Sequence, residues 1–231
     1  RNLYDGMPIL EIDKALIISA RTLVEQDPNY TYATARFLLR TLYTEALDFL
    51  ELPTAVYTNN HAGVYHHYFQ HYIKRGVALE LLDPQLRSFD LEKLGKALLP
   101  ERDQQFTYLS LQTLYDRYFL HADDVRFELP QAFFMRIAMG LAQQESNKED
   151  RAIEFYQLLS SFDYMASTPT LFNAGTLRPQ LSSCFLTTVA DDLDQIYSAI
   201  KDNALLSKFA GGLGNDWTPV RAMGARIKGT N

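Results

Sequence analysis

The sequence predicts a chain that is mostly α-helical over its amino-terminal two thirds and then enters the start of an α/β unit. Three observations predict this. Apolar residues recur at three- and four-residue spacing from Ile9 to about Phe162. After about residue 163 the texture changes to prolines, glycines, hydroxyls and short β-prone runs. In that stretch a strand candidate, a helix candidate and a second strand candidate follow one another, the order of an α/β unit.

Pro8 opens a helix in which Ile9, Ile12, Leu16, Ala20 and Leu23 share a face, and Asp27-Pro28-Asn29 ends it. A second helix, from about 31 to 50, aligns Ala35, Leu38, Leu42, Ala46 and Phe49, so the two form a helical hairpin. Leu52-Pro53 and Asn59-Asn60 break the pattern. A third helix, 62 to 82, carries His66, His67 and His71 among tyrosines and phenylalanines. His67 and His71 stand one turn apart, a spacing that suits a shared metal ion. The segment lacks the acid and third ligand of a metalloprotease-type motif, so no metal is expected, and the rings are expected to pack on neighbouring helices.

Further helices are expected at 90 to 98, 107 to 121, 130 to 144 and 149 to 162, with Pro130 in a first turn and a charged turn at 147 to 150. Tyr108, Leu111, Leu114, Tyr115 and Tyr118 form an aromatic stripe expected in the core. Strands are expected at 181 to 189 and 217 to 221, flanking a helix from about 192 to 209. The main boundary falls near residue 162, with a softer one near 50.

Composition excludes several classes. A net charge of −6 argues against a general nucleic-acid surface, because phosphate backbones attract clustered Lys and Arg. With 47% hydrophobic and 22% charged residues the chain is ordinary globular material, not a disordered tail. A single cysteine excludes an internal disulfide framework and a cysteine-built zinc site. No apolar run reaches the ~18 residues of a membrane span, and RNLYDGMPIL is no signal peptide, so a cytoplasmic protein is expected.

That cysteine, Cys184, stands in ASTPTLFNAGTLRPQLSSCFL, residues 166 to 186. A lone cysteine is usually a small buried hydrophobe. Here Thr168, Asn173, Thr176, Ser182 and Ser183 surround it with polar groups, while Pro169, Pro179 and Gly175 shape the loop, which suits a polar ligand held beside a thiol. STPTLFNAGTLRPQLSSCFL, then DDLDQIYSAI, then AGGLGNDWTPVRAMGARIKGTN resemble the large, catalytic subunit of class I ribonucleotide reductases. FTYLSLQTLYDRYFL at 106 to 120 and the helical stretch at 2 to 47 resemble the same family's amino-terminal region. The resemblance covers essentially the whole chain and is strongest at its carboxyl end.

The resemblance implies an organisation: 1–50 as the remnant of an ATP-cone helical hairpin, 51–162 as the helical amino-terminal domain, and 163–231 as the first part of a ten-stranded α/β barrel. It implies a fragment, inactive alone, because the radical-carrying cysteine, the second redox cysteine and the tail pair belong to parts of the family not found in these residues. It implies that Cys184 is one of two thiols that become a disulfide and so supply electrons for ribonucleotide reduction. Thr168, Ser183 and Gly212 match the family's substrate positions. Taken alone the glycines of AGGLG read as a turn, and no Gly-Lys-Ser/Thr follows to make a phosphate loop.

Asp191-Asp192-Leu193 has two readings. An Asp at a helix start caps free N–H groups; in the family this position recognises the deoxyribose of an effector triphosphate, with Lys208, Arg221 and Lys228 available to its phosphates. Four Lys and Arg gather between 208 and 228 of an otherwise acidic chain, which suits a polyphosphate and equally a solvated face. Leu193, Ile196, Ile200 and Ala204 form an apolar stripe that packs on its own domain or, as the family implies, on a second subunit. The implied partners are ribonucleoside diphosphates, dNTP and ATP effectors, a radical-generating small subunit that holds the metal cofactor, a thioredoxin- or glutaredoxin-type reductant and a second large subunit. No cofactor is expected in this chain. The alternatives are an adenosylcobalamin-dependent reductase and a non-catalytic nucleotide-binding or dimerisation module.

Overall fold

The structure, a computed structural model, describes residues 4–53, 61–208 and 211–226. The break expected at Asn59-Asn60, the helix end expected at Phe209, and Lys228 lie outside the described residues. Contacts divide the chain into two units: Arg1–Ala166 with Leu171–Pro179, and Ser167–Thr170 with Gln180–Asn231. Among the described residues no helix is long and apolar enough to cross a membrane.

The first unit opens with α1 (Ile9–Arg21) packed on α2 (Tyr30–Phe49). The expected face of α2 is the buried one: Ala35, Leu38, Leu42 and Ala46 are in the core, and Phe49 stacks on Phe127 with ring centroids 5.1 Å apart. α3 (His61–Ala78) buries Tyr65, Tyr68, Phe69, Tyr72 and Ile73. His66 and His67 are exposed, against the expectation that the imidazoles pack between helices. Periodicity explains it, since 66 and 67 fall on the face turned away from the 65–68–69–72 stripe.

Asp90 and Thr107 cap α4 (Leu91–Ala97) and α5 (Tyr108–Arg117) by accepting hydrogen bonds from the N–H groups of Lys93 and Ser110. The stripe on α5 is edge more than core: Leu111 is buried, whereas Tyr108, Leu114, Tyr115 and Tyr118 are half-buried. An unexpected hairpin follows, β1 (His121–Ala122) antiparallel to β2 (Val125–Arg126). Its turn residues Asp123 and Asp124 both have positive φ, 49° and 63°, the two-residue loop whose twist suits a hairpin. α6 (Pro130–Ala142) is buried nearly all round, with Pro130 in the first turn, and α7 (Lys148–Ser160) packs on it.

This unit buries polar groups and pairs them. Asp103 accepts hydrogen bonds from Tyr43 Oη (2.5 Å), Tyr65 Oη (2.8 Å) and Gln131 Nε2 (2.7 Å). The donors are neutral, and burial pushes the Asp103 carboxyl up to about 6. Arg136 and Glu128, neither exposed at all, pair at 2.7 Å. Tyr72 Oη donates to Glu128 at 2.5 Å, and Arg136 donates to the carbonyls of Ala174 (2.7 Å) and Leu171 (3.2 Å). At the same place α6 touches backbone: a Cβ on Gly140 would lie 2.2 Å from the nitrogen of Gly175, itself at φ +75°.

The second unit holds a βαβ arrangement. β3 (Cys184–Thr188) and β4 (Gly212–Asp216) pair in parallel and α9 (Leu193–Ser207) connects them. The order is as expected, but the second strand is not. Residues 217 to 221 form a turn, in which Val220 N–H donates to the Trp217 carbonyl at 3.0 Å, and the strand lies earlier, on the glycines. A Cβ on Gly211 would sit 2.3 Å from the Phe185 ring, whereas one on Gly214 would meet only the movable end of the exposed Leu186, 2.9 Å away. Close approach to a neighbouring strand, not turning, is what Gly211 serves. Residues expected to be loop form α8 (Thr168–Asn173), with Pro169 in the first turn, where its missing N–H has no helical partner to lose.

Candidate functional site

Alternation along β3 and β4 sorts their side chains onto two faces. Cys184, Leu186 and Thr188 share one face with Gly212, Gly214 and Asp216; Phe185 and Thr187 share the other with Leu213 and Asn215. α9 covers the second face, where Asn203 Nδ2 donates to Asn215 Oδ1 at 2.8 Å. The first face is open: Leu186 is 87% exposed and Cys184 is exposed and free. The lone cysteine is therefore not the buried hydrophobe that cysteine usually is.

Three of the four expected substrate residues meet at this thiol. Cys184 is the register partner of Gly212, and Gly212 N–H donates to the Ser183 carbonyl at 2.8 Å. A Cβ on Gly212 would stand 3.4 Å from Cys184 Sγ, so its absence leaves space beside the sulfur for another molecule. Thr168 is exposed at the start of α8. Thr170 Oγ1 ties that segment to the lead-in of β3 by donating to the Leu181 carbonyl at 3.3 Å. Ser183 is exposed as well.

The expected effector residues divide. Asp192 caps α9 by accepting from Gln195 N–H at 3.0 Å, the structural role its position suggests. Asp191 and Arg221 come together: Arg221 Nε donates to Asp191 Oδ2 at 2.7 Å and Nη1 to the Arg226 carbonyl at 3.1 Å. Lys208 stands at the other end of α9, about 24 Å along the helix from Asp192. Within one chain Lys208 and the Asp191–Arg221 pair therefore do not converge. The run of cations in the sequence hides this, because fifteen helical residues separate neighbours in the motif.

The stripe on α9 is uncovered: Leu193 is 70% exposed and Ile200 49%, Ala204 is exposed and Ile196 half-buried. Tyr197, 65% exposed, joins the patch; its position one turn after Leu193 is the signal that finds it. In the helical unit, His67 and His71 rings lie 4.7 Å apart, with His71 Nδ1 2.9 Å from the His67 carbonyl oxygen. A cleft of about 430 Å³ there is lined by Phe106, Leu109, Leu114, Tyr118, Phe162 and Met165 among others, with no charged group to hold phosphate.

Comparison with known proteins gives a consistent set of relatives. Residues 104–179 match the family described as ribonucleotide reductase, all-alpha domain, and residues 182–231 match ribonucleotide reductase, barrel domain. The chain is 49% identical over 231 residues to the ribonucleoside-diphosphate reductase subunit alpha of Chlamydia muridarum, covering 100% of this chain and 22% of that protein. It is 40% identical over 229 residues to the protein of that name from Helicobacter pylori, covering 97% of this chain and 27% of the relative. To the ribonucleoside-diphosphate reductase large subunit of Monkeypox virus it is 34% identical over 235 aligned residues, 100% of this chain and 29% of the relative. The chain thus spans between a fifth and a third of the length of these relatives.

Proposed function

Because the chain belongs to the large-subunit family of ribonucleotide reductases, we propose that its protein is the catalytic subunit of a class I enzyme that reduces ribonucleoside diphosphates for DNA precursor synthesis in the cytoplasm. The observation that carries this reading is the exposed Cys184 thiol beside a residue without a side chain, on the strand face away from α9. Replacing a 2′-hydroxyl by hydrogen takes two electrons. Cys184 and a second cysteine would supply them by passing from two thiols to a disulfide, while the hydroxyl leaves as water. Thr168, Ser183 and Gly212 would hold the substrate, with hydroxyls and unshielded backbone as the donors and acceptors.

The relatives are named as subunits, which supports a radical supplied by a separate small subunit carrying the metal cofactor, with a thioredoxin- or glutaredoxin-type protein to reset the disulfide. The exposed stripe of α9 supports a homodimer. Asp191, Asp192, Leu193 and Arg221 would belong to a dNTP or ATP effector site. Lys208 would reach such a site only from a second subunit, and Lys228 completes the set by resemblance.

The test is Cys184→Ser in the full-length protein with its partner subunit and external reductant. Multiple turnover is expected to fall to background while the folded fraction is unchanged. A turnover rate per folded molecule near wild type would remove Cys184 from the chemistry.

A further inference from the structure

We propose that Thr170 is a positioning residue for substrate: its hydroxyl fixes Thr168 on α8 against the Ser183–Cys184 end of β3, so that both sides of the site are in place before a ligand arrives. The inference rests on the reading of Thr168, Ser183 and Cys184 as substrate and redox residues, and it adds a group that holds them together. Ser167–Thr170 and Gln180–Asn231 belong to one unit, although the residues between them, Leu171–Pro179, belong to the other. The first turn of α8 is thus part of the β3 unit by contact rather than by sequence neighbourhood.

The Thr170 hydroxyl does not do what other helical threonines of this chain do. Thr34, Thr41, Thr44 and Thr113 each donate to the carbonyl four residues back along their own helix, at 2.7 to 3.3 Å. Four residues before Thr170 stands Ala166, ahead of α8. The hydroxyl donates instead to the Leu181 carbonyl, eleven residues further on, at 3.3 Å. With that proton committed, Ser167 Oγ, 3.4 Å from Thr170 Oγ1, is the donor of its own pair. A short chain of hydroxyls therefore runs from the start of α8 to the lead-in of β3.

That lead-in is held carbonyl by carbonyl. After Leu181, the Ser182 carbonyl accepts from Gln180 Nε2 at 3.1 Å and the Ser183 carbonyl from Gly212 N–H at 2.8 Å. The side chains of Ser183 and Cys184, by contrast, are exposed and make no hydrogen bond to a described residue. The backbone is fixed while the groups that would meet a ligand are free. Gln180 acts from the same segment and Gly212 from β4, whereas Thr170 acts from α8, the helix that carries Thr168. Without its hydroxyl both sides of the site would be intact and their spacing loose. A substrate would then have to restore the spacing as it binds, which lowers its apparent affinity without changing the chemistry.

The test is steady-state reduction of a ribonucleoside diphosphate by the full-length protein with its partner subunit and external reductant, with rates taken per folded molecule. The variants are Thr170→Val, Thr170→Ala, Thr170→Ser, Thr168→Ala, and Thr168→Ala combined with Thr170→Val. Valine keeps the shape of threonine and removes the hydroxyl. At 3.3 Å the bond is longer than most O–H···O bonds. KM is therefore expected to rise about two- to fivefold in Thr170→Val and Thr170→Ala, the lower part of a hydrogen bond's worth, with kcat unchanged. Thr170→Ser is expected to keep the wild-type KM, and Thr170→Val is expected to add nothing in the Thr168→Ala background, where one side of the site is already gone. An unchanged KM in the hydroxyl-free variants, an equal rise in Thr170→Ser, or a rise that persists without Thr168 would overturn the positioning role. So would a fall in kcat at constant KM. If Thr168→Ala reduces substrate as wild type does, the substrate-site reading fails and the positioning role with it. If Thr168→Ala raises KM and Thr170→Val does not, the site stands and Thr170 has no part in it.

Discussion

The helical unit and the β3–α9–β4 unit differ in how much of their polar and apolar surface they take into a core. In the first, Asp103, Glu128 and Arg136 are buried and each has hydrogen-bond partners, while the aromatic rings of α3 are sealed among neighbours. In the second, Cys184, Leu186, Leu193 and Tyr197 stand uncovered. A polar group that is buried and satisfied specifies a fold; a thiol and an apolar stripe left in the open are surfaces available to something else. The candidate chemistry lies in the unit whose own core is the thinner.

The sharpest way to break this contrast is to disturb a sealed pair. Arg136→Leu leaves Glu128 charged in the core without its counter-ion, and a loss of about 3–5 kcal/mol is expected from the urea midpoint of the helical unit. Adding Glu128→Leu is expected to recover much of that loss, because the uncompensated charge is then gone. If the single variant unfolds at the wild-type midpoint, the pair is not structural.

Asp103 gives the next largest effect and a pH signature. Its carboxyl is raised from 3.8 to about 6 in the folded protein, so the folded state holds this proton more tightly than the unfolded chain. The stabilisation is present in full below about pH 4 and is lost as pH rises through about 6, in total roughly 3 kcal/mol. Asp103→Asn is expected to flatten this component of a stability–pH profile between 4 and 6. A profile identical to wild type would show that Asp103 does not titrate there.

Much of this contrast is legible in the sequence, and the parts that are not have physical reasons. Helices announce themselves locally: Tyr65, Tyr68, Phe69 and Tyr72 fall on one face by spacing alone. The same spacing placed His66 and His67 on the opposite face, which a count of rings per helix concealed. Asp103 joins Tyr43 across 60 residues of chain, a pairing that no local pattern carries. β4 is not legible locally because glycine is a poor strand former taken singly, and only the Phe185 ring on the facing strand shows why a side chain is excluded at Gly211. At the candidate site, Cys184, Ser183 and Gly212 are singled out only by the family resemblance; the parallel register that sets them side by side, like the separation of Lys208 from Asp191 along α9, is a matter of three-dimensional pairing that no local pattern carries.

A smaller effect is expected where α6 meets the turn at Gly175. Gly140→Ala puts a methyl group into backbone and is expected to cost on the order of 1–3 kcal/mol, read from the same urea transition. A wild-type midpoint would mean that α6 and the 174–175 turn separate without penalty. The smallest stability effect belongs to the open unit. Leu193→Ser with Tyr197→Ser is expected to shift stability by less than about 0.5 kcal/mol and to move the full-length protein toward monomer in sedimentation velocity. Unchanged self-association would assign the stripe to another role.

The central claim is that the Cys184 thiol gives up electrons during reduction. The most direct measurement takes pre-reduced full-length protein with its partner subunit and a ribonucleoside diphosphate, without external reductant, then alkylates free thiols and maps them by mass spectrometry. The account predicts that Cys184 disappears into a disulfide in step with the deoxynucleotide formed. Deoxynucleotide produced while Cys184 remains fully alkylated would contradict it.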